Sequence, residues 1–505
     1  MVDKSEFLQN LSLPSRYETL ERETTRAHCD LAHIVQRVDL AAHEIETLLR
    51  EVQTGQLGRF EVFYGLSGSG KTTFLKTLPY FFQNISVVEF PKTLRITDIP
   101  KEIEKDNIHS DSNRLYVIHD RDNPRESEDD IRGFFEELRS LFRTDKGKIL
   151  VIWPITKKEA AQEIANIAWD IGRDSLLGTR GRMFEFRGLP RDSFYDVSDI
   201  TTRALNNGEG LESFGLSRDG VVTHVRDAET IGELYSKLNA ESARRNADTL
   251  SYLKERVRPR IWIVVPGDDL KELDRTVKTL TQGTRSRIDI DRLCEFLDDE
   301  SNKSAYLSEW RSRRADMAYL MRILDVRLFE LPPNAALAAV RVYGSGPHKS
   351  GLKKKTERAE TCTDILGRTR LGQALLDPDS GANPRIRETS REMAEEFMAI
   401  QQLAAKGDAG LNKATAFALH NFLVSHSKKG VVATETQDLK GSQLRPDIQV
   451  EMEDGSIACL ELTWRSTGAA LPDRGDRKAQ NTLTPGHIQK YLLEKVMEYV
   501  KDYRF

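Results

Sequence analysis

Nine consecutive residues carry the clearest chemical signal in this chain. Gly65-Leu66-Ser67-Gly68-Ser69-Gly70-Lys71-Thr72-Thr73 sets two glycines five positions apart, followed by a lysine and a hydroxyl residue. Glycines at that spacing let backbone N–H groups turn inward around phosphate oxygens, and a helix opening at Lys71 adds the positive end of its dipole. Lys71 has the reach for the β- and γ-phosphates of a nucleoside triphosphate, and Thr72 offers a hydroxyl to Mg²⁺. Gly65, Ser67, Gly68, Ser69, Gly70, Lys71, Thr72 and Thr73 are therefore the candidate contacts for ATP, and Thr72 is a candidate metal ligand.

A second cluster lies near the C-terminus, in "LRPDIQVEMEDGSIACLELTWRS" (444–466). Side chains alternate along a strand. On 457–465, Glu461 shares a face with Cys459, Thr463 and Arg465, while Ala458, Leu460, Leu462 and Trp464 form an apolar face. In the preceding stretch Asp447 faces with Gln449 and Glu451, and Ile448, Val450 and Met452 face the other way. "EDGS" (453–456) carries the Asp-Gly turn signal that pairs two such strands. Asp447 and Glu461 then converge, with the Leu462 carbonyl as a further oxygen. Such a hard oxygen set suits Mg²⁺ beside a phosphodiester. A plain hairpin with solvent-exposed acids is the alternative reading.

These residues need elements to position them. "RFEVFYG" (59–65) has strand character and runs straight into the glycines, and "KTTFLKTL" continues as a helix. Apolar runs at 60–64, 86–90, 115–119, 148–153 and 183–187 alternate with amphipathic helices, the signature of a parallel α/β sheet. In 131–143, Ile131, Phe134, Phe135, Leu138, Leu141 and Phe142 form one apolar helical stripe. Helices are expected in 16–54, 386–404, 411–427 and 485–503. Short strands are expected at 260–267 and 431–436.

The resulting division is 1–58, an N-terminal helical segment; 59–200, an α/β core; 201–340, a mostly helical extension; 341–385, a basic linker; and 386–505, a second α/β domain. Between 341 and 370 there are eight Lys/Arg against three Asp/Glu. That charge suits a solvated linker or a patch for a phosphate backbone.

Composition bounds the rest. A chain of 505 residues, 39% hydrophobic and 30% charged, has material for about two to four cored domains. A net charge of −4 gives no global nucleic-acid footprint, so any such contact is local. Cys29, Cys294, Cys362 and Cys459 form no CxxC or Cys/His cluster, which argues against structural zinc and fits a reducing cytosol. With no apolar leader and no membrane-length run, a cytoplasmic location is expected.

Two families are resembled. Gly65–Thr73 between strand and helix is a P-loop, and "RLYVIHDRD" (114–122) resembles a Walker B strand, with Asp120 holding Mg²⁺ through water. Motor ATPases of this kind place a glutamate next. Here Arg121 follows, so Asp122 is the candidate for orienting the attacking water, and slow hydrolysis or a bind-and-switch role is implied. "KILVIWPIT" (148–156) resembles the sensor-1 strand of AAA+ and STAND-type ATPases, which puts Thr156 near the γ-phosphate. "TRGRMFEFRGLPRDSF" (179–194) resembles the closing strand of that core. Arg180 and Arg182 stand where an arginine finger for a neighbouring subunit is often found, or are surface arginines in salt bridges. The resemblance implies a homo-oligomer formed through the ATPase domain.

Residues 405–505 resemble the PD-(D/E)xK nuclease superfamily, with the Pro-Asp literal at Pro446–Asp447. Three departures stand out. Thr463 replaces the lysine, the first helix "LNKATAFALHNFLVSHS" carries no carboxylate, and the chain ends at Phe505 where a last strand would follow. Lys490, Lys478 and Arg465 are the candidate substitutes for the lysine, Lys490 foremost. The resemblance implies an ATPase governing a C-terminal restriction-endonuclease-like domain that acts on nucleic acid, DNA above all. Anti-phage defence is the implied setting, with a partner subunit as a further possibility. The alternative is an ATP-dependent switch whose C-terminal domain grips nucleic acid or a partner without cutting.

Overall fold

A computed structural model describes residues 10–503 except 56, 91–92, 107–112, 120, 122–123, 145–148, 179–181, 254–256, 284, 294–309, 311–312, 380, 382–387, 405–406, 435 and 468–481. The protein is mixed α/β with two sheets, and it divides into two compact units. One comprises Leu11–Leu211 and Arg218–Glu241; the other is built on Glu212–Ser217 and the chain from 242 onward.

The first unit holds five strands: β1 (Arg59–Tyr64), β2 (Ile85–Glu89), β3 (Asn113–Val117), β4 (Leu150–Ile155) and β5 (Phe184–Glu185). They pair in parallel in the order β2-β3-β4-β1-β5. A parallel sheet needs cover on both faces. Phe60 and Val62 of β1, with Val151 and Trp153 of β4, pack under the helices Glu128–Leu141 and Lys158–Gly172. Phe63, Leu150 and Ile152 face the other way, under Asp39–Gly55 and Lys71–Phe81. The stripe from Ile131 to Phe142 is buried as its spacing predicts. Ser127 caps that helix by accepting from the Asp130 N–H.

The second unit is built differently from the expectation. Its sheet has seven strands: β6 (Pro259–Pro266), β7 (Thr281–Gln282), β8 (Arg287–Ile288), β9 (Arg327–Leu331), β10 (Val431–Thr434), β11 (Ile448–Glu451) and β12 (Ile457–Leu462). The order is β10-β11-β12-β6-β9-β8-β7. The stretch 201–340, read as a helical extension, thus supplies the sheet's centre. Every residue of β6 is buried, so this strand requires neighbours on both edges and helices on both faces. β6 runs parallel to β12 and to β9.

The segment 341–385, read as a linker, is also built into this unit. Its helices Ala359–Leu366 and Arg370–Leu376 bury Cys362, Leu366, Leu371 and Leu375 against Trp262 and the helix Ala409–Ser425. One face of the sheet carries Trp262, Val264, Ile448, Val450, Leu460 and Leu462. The opposite face carries Ile261, Ile263 and Cys459, covered by the helices Leu270–Leu280, Arg314–Ile323 and Pro485–Tyr503. No helix among the described residues is long and apolar enough to cross a membrane.

Candidate functional sites

The glycine loop leaves β1 with the Gly65 N–H donating to the Ile155 carbonyl at 3.0 Å, so Thr156 directly follows the residue that anchors the loop's first glycine. Gly68 and Gly70 adopt left-handed φ values of +79° and +94°, which glycine accepts without strain. The helix Lys71–Phe81 begins with no side-chain cap, leaving its first-turn N–H groups directed into the loop. Lys71 is buried and donates to the carbonyls of Gly65 at 2.5 Å and Leu66 at 3.0 Å. The loop is clamped from one side by Gly232, whose N–H donates to the Gly68 carbonyl at 3.0 Å. On the other side Gly188 approaches so closely that an added Cβ would lie 2.5 Å from the Ser69 carbonyl.

Around this loop opens a cleft of about 1390 Å³, lined by Arg16, Lys71, Thr72, Lys76, Glu89 and His119 among others. Ser69 Oγ is buried with no hydrogen-bond partner among the described residues. Ser69 lines a smaller pocket with Phe74, Thr77 and Tyr235 and is not among the residues of the large cleft. Of the other residues singled out from sequence, Asp120, Asp122 and Arg180 lie outside the described residues. Arg182 donates to Asn166 Oδ1 at 2.9 Å and lies 4.8 Å over the Trp169 ring, so in this chain it is tethered to the helix Lys158–Gly172.

The second candidate site is the acid pair. Ile448 pairs with Leu460, so one step further along the antiparallel ladder Asp447 stands opposite Glu461. Directly opposite residues share a face of the sheet. Glu461 is only 3% exposed, which sets aside the reading of a hairpin with solvated acids. The Asp-Gly turn forms as expected: Gly455 has a φ of +79° and the Met452 N–H donates to the Ser456 carbonyl at 2.9 Å.

Both carboxylates are held. Asp447 Oδ2 accepts from the Leu462 N–H at 2.6 Å. Glu461 Oε1 accepts from the Tyr499 hydroxyl at 2.7 Å, and Lys495 Nζ lies 3.3 Å from Oε2. Tyr491 donates to the Leu462 carbonyl at 3.4 Å. Burial, then the neighbouring Glu461 charge, push the Asp447 carboxyl up to about 7. Burial also raises Glu461, with Lys495 and Tyr499 opposing the shift. Asp408, just before the helix Ala409–Ser425, adds to the negative field felt by Asp447 and Tyr491. It stands immediately before a helix that carries no carboxylate of its own.

Among the described residues, the cation against Glu461 is Lys495 and not Lys490. Lys490 is mostly exposed, with its Nζ 3.9 Å from Glu494. Successive residues turn about 100° around a helix, so the face directed at the acids is Tyr491, Lys495 and Tyr499, four residues apart. The sequence puts Ile488, Tyr491, Leu492, Val496, Val500 and Tyr503 in one buried stripe, and how the helix docks decides which flank of that stripe meets the acids. Lys495 is held above its ordinary value: burial opposes its charge, but Glu461 and Glu498 outweigh it. It stays an ammonium at neutral pH and acts through charge. Arg465 donates to Thr463 Oγ1 at 2.8 Å and lies 6.0 Å over Tyr491, so Thr463 orients an arginine where a lysine was looked for. Lys478 lies outside the described residues.

No family model matches this chain, and no curated protein matches it in sequence.

Among the described residues no three His, Cys, Asp or Glu side chains gather closely enough to hold a divalent cation. The pair Asp447 and Glu461, with the Leu462 carbonyl, is all oxygen, and a cation would relieve the repulsion that raises Asp447. Mg²⁺ commonly takes one or two carboxylates and keeps several waters, so the set fits.

Proposed function

We propose that this chain is a P-loop ATPase whose nucleotide state governs a metal-dependent nuclease-like unit acting on nucleic acid, with DNA as the first substrate to test. The observation that carries the reading is Asp447 opposite Glu461 with Lys495 beside them. A buried carboxylate and a half-buried one opposite each other, with a half-buried ammonium against them, are costly unless they serve a ligand of mixed charge. The PD-(D/E)xK resemblance gains support from β6, which lies parallel beside β12 where a strand after the last helix would stand. It gains further support from Lys495, a lysine displaced from the strand to the helix.

Asp447, Glu461 and the Leu462 carbonyl would hold the cation, which when bound supplies a polarised water and neutralises phosphate charge. Tyr499 and Lys495 fix the rotamer of Glu461. Lys495, positively charged, offsets the charge that builds on a phosphodiester under attack. In the other unit, the uncapped N–H groups from Lys71 to Thr73 would take the phosphates of ATP, with Thr72 on the Mg²⁺. Lys71 would exchange its two carbonyl contacts for phosphate oxygens.

A second reading draws on the same site. Lys495 and Tyr499 occupy both oxygens of Glu461, which favours a unit that grips nucleic acid without cutting it. Purified protein with plasmid and Mg²⁺ or Mn²⁺, with and without ATP, separates the two. Cutting that is abolished in Asp447→Ala and Glu461→Ala supports the nuclease. Cutting that survives both rejects this site, and binding with no cutting under any condition establishes the second reading.

A further inference from the structure

We propose that Glu89 is the carboxylate that holds and deprotonates the water attacking a triphosphate bound in the glycine loop. The inference rests on the nucleotide reading above. The usual glutamate after Asp120 is replaced by Arg121, and that side chain is committed to Glu126 and the Leu94 carbonyl. Asp122 lies outside the described residues, and the described acids that line the cleft are Glu18, Glu89, Glu229 and Glu233.

Glu89 is the last residue of β2 and lines the same cleft as Lys71 and Thr72. It therefore sits at the carboxyl end of a parallel sheet, where α/β proteins bind their ligands. Glu89 Oε2 lies 2.9 Å from Lys76 Nζ. Lys76 follows Thr72 by four residues, so the two share a face of the helix about one turn apart. A carboxylate anchored on Lys76 is thus held in the same cleft as the hydroxyl expected to hold Mg²⁺. Its second oxygen, Oε1, is 3.9 Å from His119 Nε2, at the end of the neighbouring strand.

The other described acids of the cleft are placed less well, and Glu229 is exposed. Glu233 is taken up by Lys237 at 2.8 Å and by the Glu229 N–H at 2.9 Å. Glu18 is largely exposed, 4.0 Å from the same Lys76. Glu89 is the one held by the loop's own helix at a strand end.

The step balances as follows. The water oxygen bonds to the γ-phosphorus as the bond to the bridging oxygen breaks, and ADP leaves with that electron pair. The water proton passes to Glu89 and from there to the released phosphate. Lys76 holds the carboxylate in place before attack.

The test is Glu89→Gln in the full chain, with affinity for a fluorescent ATP analogue and steady-state turnover measured separately. The expected result is affinity within threefold of wild type and kcat lowered by about 10²–10⁴-fold, the worth of a general base. Glu89→Asp, which retains the acid on a shorter stem, should recover part of kcat. Unchanged kcat in Glu89→Gln overturns the proposal. So does a loss of Mg²⁺-dependent affinity equal to the loss in turnover, which makes Glu89 a binding residue. Lys71→Ala is run alongside: if it leaves nucleotide affinity unchanged, the nucleotide reading itself fails, whatever Glu89 does.

Discussion

Lys495 reaches Glu461 from the final helix, its Nζ 3.3 Å from Oε2, and it does so from the face that Lys490 does not share. Lys495→Met should lower plasmid cleavage by at least tenfold, and Lys490→Ala should leave it within twofold. Removing the ammonium also strands a buried carboxylate, so Lys495→Met should lose about 1–3 kcal/mol of stability in urea titration. Lys495→Arg keeps the charge and should restore the stability more fully than the cleavage, because the broad guanidinium replaces a compact ammonium. Equal cleavage by the Lys495 and Lys490 variants would remove Lys495 from the chemistry.

The glycine loop is held by backbone as much as by its own sequence. A Cβ on Gly232 would meet Gly68 Cα at 2.9 Å and the Gly68 carbonyl at 3.1 Å, and neither is the end of a flexible side chain. Gly232→Ala should therefore weaken binding of a fluorescent ATP analogue by about tenfold, roughly 1.4 kcal/mol, without touching the nucleotide. Lys71→Ala should weaken it further. Affinity unaltered by Gly232→Ala would show that the clamp plays no part in shaping the loop.

The second unit begins far earlier than residue 386. Ile457–Leu462 pairs along its whole length with β6, and Leu460 and Leu462 share their core with Trp262. A fragment spanning 386–505 should be unfolded by circular dichroism and amide dispersion, since its central strand would be left as an open apolar edge. A fragment spanning 242–505 should fold. Within the full chain Trp262→Ala should cost about 3–5 kcal/mol. A cooperatively folded 386–505 would contradict the seven-stranded sheet.

What could be read from the sequence follows from what is local. The stripe from Ile131 to Phe142, the Asp-Gly turn and the strand leading into Gly65 are fixed by residues within a few positions of one another, and each is found as expected. The pairing of Asp447 with Glu461 was legible for the same reason, because strand alternation and a tight turn set the register. The membership of β6 was not. A fully buried strand such as "RIWIVVP" reads alike in any parallel sheet, and nothing near it names β12 as its neighbour. Lys495 was missed for a related reason: helical phase separates it from Lys490, but only the docking of Pro485–Tyr503 onto the sheet decides which phase meets the acids.

Glu61 offers a test of the first unit by pH. It lies in β1 on the side covered by the helix Asp39–Gly55, 4% exposed, and Oε1 has no hydrogen-bond partner among the described residues. Burial first, and then the charge of Glu44, raise its carboxyl well above the ordinary glutamate range. The folded state therefore favours the protonated acid. Such a group contributes its full stability below the unfolded value near 4.5, and that contribution is lost as pH rises toward the folded value. Glu61→Gln carries no proton to lose, so the variant should gain on wild type as pH is raised above about 4.5, by up to about 1.4 kcal/mol per pH unit across the interval. Urea titrations of both proteins at pH 5 and pH 8 measure this. A stability difference that does not change between the two would mean that Glu61 is ionised in the folded protein and that its charge is compensated.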